Sequence, residues 1–369
     1  MRYIISGYGP GLGGVPKLIE YLSQKSGNNV SMIYPMTSKI KNYFFRKMIE
    51  RIFFRVFFWI KLFKLKGKKV TLVHHQSIGF FMTKWLILNC KDPVIYVMDN
   101  GFFCSSAYNY ISGEKSECLR CVGGDFFNAD KMQCKVRPFG STRRAHNHFQ
   151  QWLLSHSSKV RFYTLSETNA KLLETHFKGA CSAKPLYFMT NDLEVTNAKS
   201  AKSSLHEPLW DIVFHAADIP PKGIDYTIKL ANKLPDYSFL IPSNKLVNCS
   251  KNVTLKDMRW ETGLKGAVQN AKLVLTPSLW SYTPEAASLK SFKHNGKVAM
   301  IENKFGFTNE VPDGAYLSLS GDVDKDAEKI RDLFLNGDLL SLEVSGQDYY
   351  QQYVNRASKD MNFLLNDKI

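Results

Sequence analysis

Two rhythms of apolar and polar positions alternate along this chain, and they outline a succession of short strands and helices. Continuous apolar runs that read as buried strands lie at residues 2–6, 30–34, 69–74, 94–98 and 160–165. Helical spacing fills several of the gaps between them and continues over 167–177. The grammar then repeats, with strands at 211–214, 237–241, 272–276, 298–302 and 315–317 and helices at 224–234, 262–270, 323–335 and 347–365. Strands alternating with helices predict parallel sheets covered on both faces. The polar stretch 190–208, rich in Asn, Ser and Lys and without apolar periodicity, predicts a hinge. No repeat at a solenoid period is present.

The expectation is therefore an α/β chain of two doubly wound, Rossmann-like units. Residues 1–190 form the first, 191–345 the second, and 346–369 a closing helix that packs back on the first. The length of 369 residues suits two domains. An apolar fraction of 44% and a charged fraction of 22% exclude a disordered tail and a disulfide mini-scaffold.

Charge changes the picture more. With 49 basic against 33 acidic residues the net charge is +16, which points to an anionic partner: nucleic acid, a membrane surface or a phosphorylated substrate. Residues 39–69 hold eleven basic residues and one acid, Glu50, so most of the excess lies in one segment. Within it Phe45, Met48, Ile49, Ile52, Phe53, Val56, Phe57 and Ile60 recur at helical spacing. Lys47, Arg51 and Arg55 form a stripe, and Trp59 follows. A basic, Phe-rich amphipathic helix is suited to lie in a lipid interface, where each Lys or Arg contributes about 1 kcal/mol beside an anionic leaflet. The favoured partner is thus an anionic membrane surface; a core-packing helix with a solvated basic face is the alternative. Nucleic acid fits poorly with so many Phe, Leu and Ile residues. The N-terminus does not read as a signal peptide, and no run reaches the roughly 18 apolar residues of a spanning helix. The expected location is the cytosolic side, peripheral on the inner face of the cell membrane.

Candidate chemistry sits at strand ends, where parallel sheets bind ligands. After the first strand, GYGPGLGGVP opens a helix, with Gly13 and Gly14 nearest its start. Such a turn lets a backbone approach a phosphate or sugar, or is simply tight. His74, His75 and Asp99 follow later strands. Asp99 is positioned to orient an acceptor hydroxyl or to cap its own loop. Cys104, Cys118, Cys121 and Cys134, spaced C-x13-C-x2-C-x12-C, suit a structural zinc site or four separate thiols. Zinc here would pin an otherwise long loop.

The second half carries a more telling series: Lys222-Gly223 after a strand and before a helix, the segment 271–280 with Pro277-Ser278, then Glu285, then 296–300. With GGVP at 13–16 and SETNAKLLE at 166–174, this order resembles the retaining nucleotide-sugar glycosyltransferases of the GT-B fold, family 4, over nearly the whole chain. The resemblance implies two Rossmann-like domains facing a cleft and a nucleotide-sugar donor held mainly by the C-terminal one. It further implies a lipid-linked saccharide or lipopolysaccharide acceptor, as in O-antigen or other surface-polysaccharide assembly. Lys222 is then the residue that stabilises the leaving diphosphate, and Glu285 and Ser278 hold the donor. No metal is required for chemistry. The chain departs from the family at Ala217, where an Arg is usual, and in lacking a second Glu after Glu285; Lys290 is the candidate substitute for the missing charge. Those departures leave open a non-catalytic, glycosyltransferase-like subunit of a membrane polysaccharide-assembly complex. A zinc-containing nucleic-acid binder is the more distant rival.

Overall fold

The computed structural model describes residues 1–35, 55–112, 114, 117–136, 141–194, 210–245 and 248–366. It divides into two units: Met1–Tyr108 with Leu119–Asn191 and Arg356–Ile369, and Asn109–Cys118 with Asp192–Asn355. Ten residues from within the first half of the chain thus belong to the second unit. The final helix, Leu339–Leu365, begins earlier than the periodicity predicts and contributes to both.

The first unit is a six-stranded, wholly parallel sheet. Its strands are β1 (Arg2–Ser6), β2 (Val30–Ile33), β3 (Lys69–Val73), β4 (Lys91–Val97), β5 (Arg161–Thr164) and β6 (Ala183–Pro185), in the order β2-β1-β3-β4-β5-β6. Ile4, Ile5, Leu72, Ile95 and Phe162 are buried in the sheet, as strands covered on both faces require. The helix Gly14–Lys25 lays Leu18, Ile19, Tyr21 and Leu22 inward. The helix Glu167–His176 starts where Ser166 Oγ accepts from the Asn169 N–H at 3.1 Å, an N-cap written in the local sequence.

The second unit repeats the plan with β7 (Ile212–Phe214), β8 (Phe239–Pro242), β9 (Val253–Lys256), β10 (Leu273–Leu275), β11 (Val298–Ile301) and β12 (Leu317–Leu319). Their order is β12-β11-β10-β7-β8-β9, again all parallel. Its core joins Ile212, Leu230, Phe239, Leu273, Leu275, Ala299 and Ile330.

Both orders reverse direction once. In the first sheet the chain leaves β1 for β2 on one side and returns to β3 on the other; in the second, β7 is flanked by β8 and β10. Ligands of open parallel sheets bind beyond the strand ends at such a reversal. The residues that follow β1, β3, β7 and β10 are therefore the first to inspect. Of the predicted basic helix, the described part is Arg55–Phe63; Lys47 and Arg51 lie outside the described residues.

Candidate active site

In the second unit, the reversal brings together the loops after β7 and β10. Pro220–Lys222 makes one 3-10 turn, and Gly223 then takes φ 82° before the helix Ile224–Lys233. A Cβ on Gly223 would lie 2.2 Å from the carbonyl oxygen of Pro277, so only glycine fits this crossing. The Leu279 N–H donates to Pro221 O at 2.9 Å and ties the two loops together. Lys222-Gly223 and Pro277-Ser278, 55 residues apart in sequence, are thus one piece of packing.

Lys222 Nζ forms an ion pair with Glu285 Oε1. The same oxygen accepts from Ser278 Oγ at 2.9 Å and from the Trp280 indole N–H at 3.2 Å. The Trp280 ring also carries the Lys222 ammonium 4.8 Å from its centroid. Both side chains of the pair are largely shielded, Lys222 12% and Glu285 10% exposed. Glu285 stands at the N-cap of the helix Ala286–His294. One carboxylate oxygen is thereby fixed by three donors beside a helix N-terminus, whose N–H groups and dipole favour an anion. An arrangement of this kind presents a cation to a diphosphate and a carboxylate to sugar hydroxyls.

The expected set is only partly assembled there. Lys222, Ser278 and Glu285 meet, and Trp280 joins them. Lys290 instead pairs with Asp192 at 2.7 Å and lies 4.6 Å over the Trp260 ring. Gly13 and Gly14 belong to the first unit, at the start of the helix after β1, where Gly13 takes φ 107°. Ala217 does lie in the loop after β7, accepting from the Ile219 N–H at 2.8 Å.

In the first unit, the ends of β3 and β4 hold a second polar group. Asp99 Oδ2 lies 3.1 Å from His74 Nε2, and Asp99 Oδ1 accepts from the Gln76 amide at 2.8 Å and the Gly101 N–H at 2.9 Å. Burial alone would push the Asp99 carboxyl up, but the His74 ring, Gly101 and Gln76 outweigh it and hold the carboxyl below its ordinary value. His74 adopts a left-handed backbone, φ 54°, at the strand end, and its ring meets Tyr8 of the glycine-rich turn at 5.3 Å. The Gly7 N–H donates to Ser77 Oγ at 3.0 Å, so this turn rests on the segment that carries His74. His75 is a different case: it is fully buried against Phe149, and burial lowers its ring to about 3. His74 was named at its strand end without a role, while Gln76 and Trp280 are the site residues that the sequence reading did not assign. The place of Gln76 just beyond His74 at the same strand end was the signal that could have found it.

Among the described residues no three or more His, Cys, Asp or Glu side chains are grouped to hold a metal. Burial pushes the Cys104 thiol up to about 12, Ser106, whose Oγ lies 3.2 Å from the sulfur, opposes the rise, and the neighbouring Cys121 and Cys134 add to it.

The helix Arg55–Phe63 is apolar nearly all round. Phe58 and Leu62 turn inward, while Val56, Phe57, Ile60 and Phe63 are exposed, Phe57 by 59%. On the neighbouring helix Phe80–Asn89, Phe81 and Leu88 are exposed as well. Trp59 is half-buried beside the Arg55 guanidinium, 5.9 Å from its ring, so the outward apolar face is built mainly from phenylalanine and isoleucine.

The two parallel-sheet units, each with polar side chains at its reversal point, have the architecture of the GT-B glycosyltransferases. Among solved structures, the chain is similar to sucrose-phosphate synthase from Thermosynechococcus elongatus, at 13% identity, covering 100% of this chain and 98% of that one with a TM-score of 0.66. It is similar to WaaG, a glycosyltransferase involved in lipopolysaccharide biosynthesis, at 12% identity over 100% and 98% with a TM-score of 0.54. TarM matches at 14% identity over 85% of this chain with a TM-score of 0.53, and the chain spans 57% of its length. Identities at this level show a shared fold. No protein-family model matches the chain, and no curated protein sequence matches it.

Proposed function

We propose that this chain is a glycosyltransferase that moves a sugar from a nucleotide-sugar donor, held by the second unit, to a saccharide acceptor. The observation that carries the reading is the convergence of Lys222, Ser278 and Trp280 on one oxygen of Glu285 at the reversal point of a GT-B fold. As a glycosidic bond to a diphosphate breaks, negative charge grows on the leaving group. A shielded ammonium beside a helix N-terminus stabilises that charge more than water does. Lys222 takes this role, and Glu285 holds donor hydroxyls. Lys290, resting on Asp192, is the second candidate for positive charge. Asp99, kept ionised by its neighbours, orients an acceptor hydroxyl rather than serving as an obligatory base. The chemistry is assigned as retaining and metal-independent on the family 4 resemblance.

In this reading the acceptor is a lipid-linked saccharide or lipopolysaccharide, met at the inner membrane face. The exposed Phe57, Ile60, Phe63 and Phe81, with Arg55, Lys61 and Lys64 nearby in sequence, support it. Among the described residues no helix is long and apolar enough to cross a membrane.

The test is a thermal-shift screen of the purified chain against nucleotide sugars, since a ligand of the folded state raises its melting temperature. A stabilising donor whose effect disappears in Lys222→Ala is the expected result. Absence of any stabilising nucleotide sugar, in a protein that also fails to hydrolyse or transfer from them, overturns the proposal. Donor binding without transfer to a lipid-linked acceptor favours the non-catalytic subunit instead.

A further inference from the structure

The second unit takes in Asn109–Cys118, a strap drawn from the first half of the chain. Its ends are tied to each other, the Cys118 N–H donating to Asn109 O at 2.6 Å and Asn109 Nδ2 to Cys118 O at 3.1 Å. The Asn109 side chain then grips one residue of the loop after β10 from both sides. Its Oδ1 accepts from the Ser281 N–H at 3.1 Å, and its Nδ2 donates to Ser281 Oγ at 2.8 Å. Asn109 and Ser281 are both buried. Further along the strap, Glu117 Oε1 accepts from the Phe305 N–H at 3.1 Å.

Ser281 follows Trp280 directly and lies between Ser278 and Trp280 on one side and Glu285 on the other, three of the four residues of the donor group. The rest of that loop is held from within the unit: Leu279 N–H by Pro221 O, Ser278 O by the Asn303 amide, and Tyr282 O by the Phe307 N–H. Asn109 supplies a further anchor, and it comes from outside the contiguous second half. An amide side chain is one of the few that offers a donor and an acceptor at once, as a peptide N–H and its own hydroxyl require.

We propose that Asn109 is a positioning residue of the donor site. It fixes the loop that aims Ser278 and the Trp280 indole at Glu285, and so makes donor affinity depend on a strap from the first half of the chain. The inference rests on the reading of the Lys222–Glu285 group as a donor site. Without Asn109, the buried Ser281 N–H and hydroxyl lose these two hydrogen bonds, and the loop reorganises in response.

The experiment is calorimetric titration of the full chain with UDP-glucose, UDP-N-acetylglucosamine and GDP-mannose, using wild type, Asn109→Ala, Asn109→Asp, Ser281→Ala and the Asn109→Ala/Ser281→Ala double variant. Asn109→Ala is expected to weaken the nucleotide sugar that wild type binds by about tenfold, a coupling of ordinary size for contacting residues. Ser281→Ala keeps the backbone contact and loses about threefold. The double variant is no weaker than Asn109→Ala, because both act through one contact. Asn109→Asp is expected to weaken binding as Asn109→Ala does, since a buried carboxylate still accepts from the Ser281 N–H but cannot donate to Ser281 Oγ or to Cys118 O. A lowered melting temperature with unchanged affinity in Asn109→Ala, or additive losses in the double variant, overturns the proposal. If Asn109→Ala does not fold, unchanged affinity in Ser281→Ala overturns it. A wild type that binds none of the three sugars, with Lys222→Ala equally silent, locates the failure in the donor-site reading itself.

Discussion

Substituting Lys222 by Met, alone and together with Glu285→Gln, separates what the ion pair does for the fold from what it does for the reaction. With side chains 12% and 10% exposed, the pair lies nearer the buried than the surface limit. Surface pairs contribute about 0–1 kcal/mol. Removing one partner of a buried pair strands the other charge and costs about 3–5 kcal/mol. Ser278 and Trp280 still donate to Glu285, so the expectation falls near the lower limit, about 3 kcal/mol. For a unit of this size that is roughly 6–12 °C of melting temperature. Adding Glu285→Gln removes the stranded charge, so the double variant should regain much of the loss by differential scanning calorimetry. Turnover should not return. An electrostatic group aimed at a developing charge is worth about 10²–10³ in kcat, and neither Met nor Gln replaces it. A single variant that melts within about 1 °C of wild type refutes the burial argument. A double variant with near wild-type turnover refutes the catalytic one.

Three further outcomes are expected. In His74→Asn, burial of Asp99 is opposed by fewer partners, so the acid limb of the kcat/KM profile should move to higher pH; an unmoved limb removes His74 from the site. His75, His176 and His215 are each lowered by burial to about 3, so each binds its proton only on unfolding, and its stabilising effect is complete above about pH 6.5 and lost as pH falls toward 3. At pH 5.5 each should cost on the order of 1 kcal/mol, and His176→Phe should melt with a shallower acid dependence than wild type if this is right. Finally, Phe57→Glu/Ile60→Glu, changing only exposed side chains, should abolish sedimentation with phosphatidylglycerol vesicles while leaving the melting temperature within a few degrees; vesicle binding equal to wild type ends the membrane assignment.

How much of this was legible in the sequence follows from how local each feature is. Ten strands announce themselves because strands buried on both faces must be continuously apolar. The two that escaped, β6 and β9, are two of the four edge strands, where Lys184, Pro185, Thr254 and Lys256 break the run. Lys222, Ser278 and Glu285 were legible because each sits in a short motif at a strand end. Asn109 was not, since nothing local ties it to a partner 172 residues away. The cysteine spacing is uninformative for the complementary reason: regular intervals say nothing about which unit a residue joins, and Cys118 travels with the strap. Periodicity likewise marked the basic helix without telling its inward Phe58 and Leu62 from its outward Phe57 and Ile60, because all four are apolar.

The topology explains why the readable residues were also the candidate site residues. At a strand-order reversal the loops from two adjacent strands turn away on opposite faces and leave a crevice between them. A residue there is freed from packing duty on the sheet, so its type is chosen for chemistry, and it reads as an anomaly after an apolar run. Lys222 and Glu285 follow β7 and β10, and His74 and the glycine-rich turn follow β3 and β1. The same logic bears on the absent arginine at Ala217. Its loop is already held by Asp218, which accepts from Ser243 Oγ at 2.6 Å and pairs with Lys245 at 3.0 Å. In the proposed reading that loop offers a diphosphate one cation, Lys222, and the further positive charge is left to the helix N-terminus after Glu285 and to Lys290.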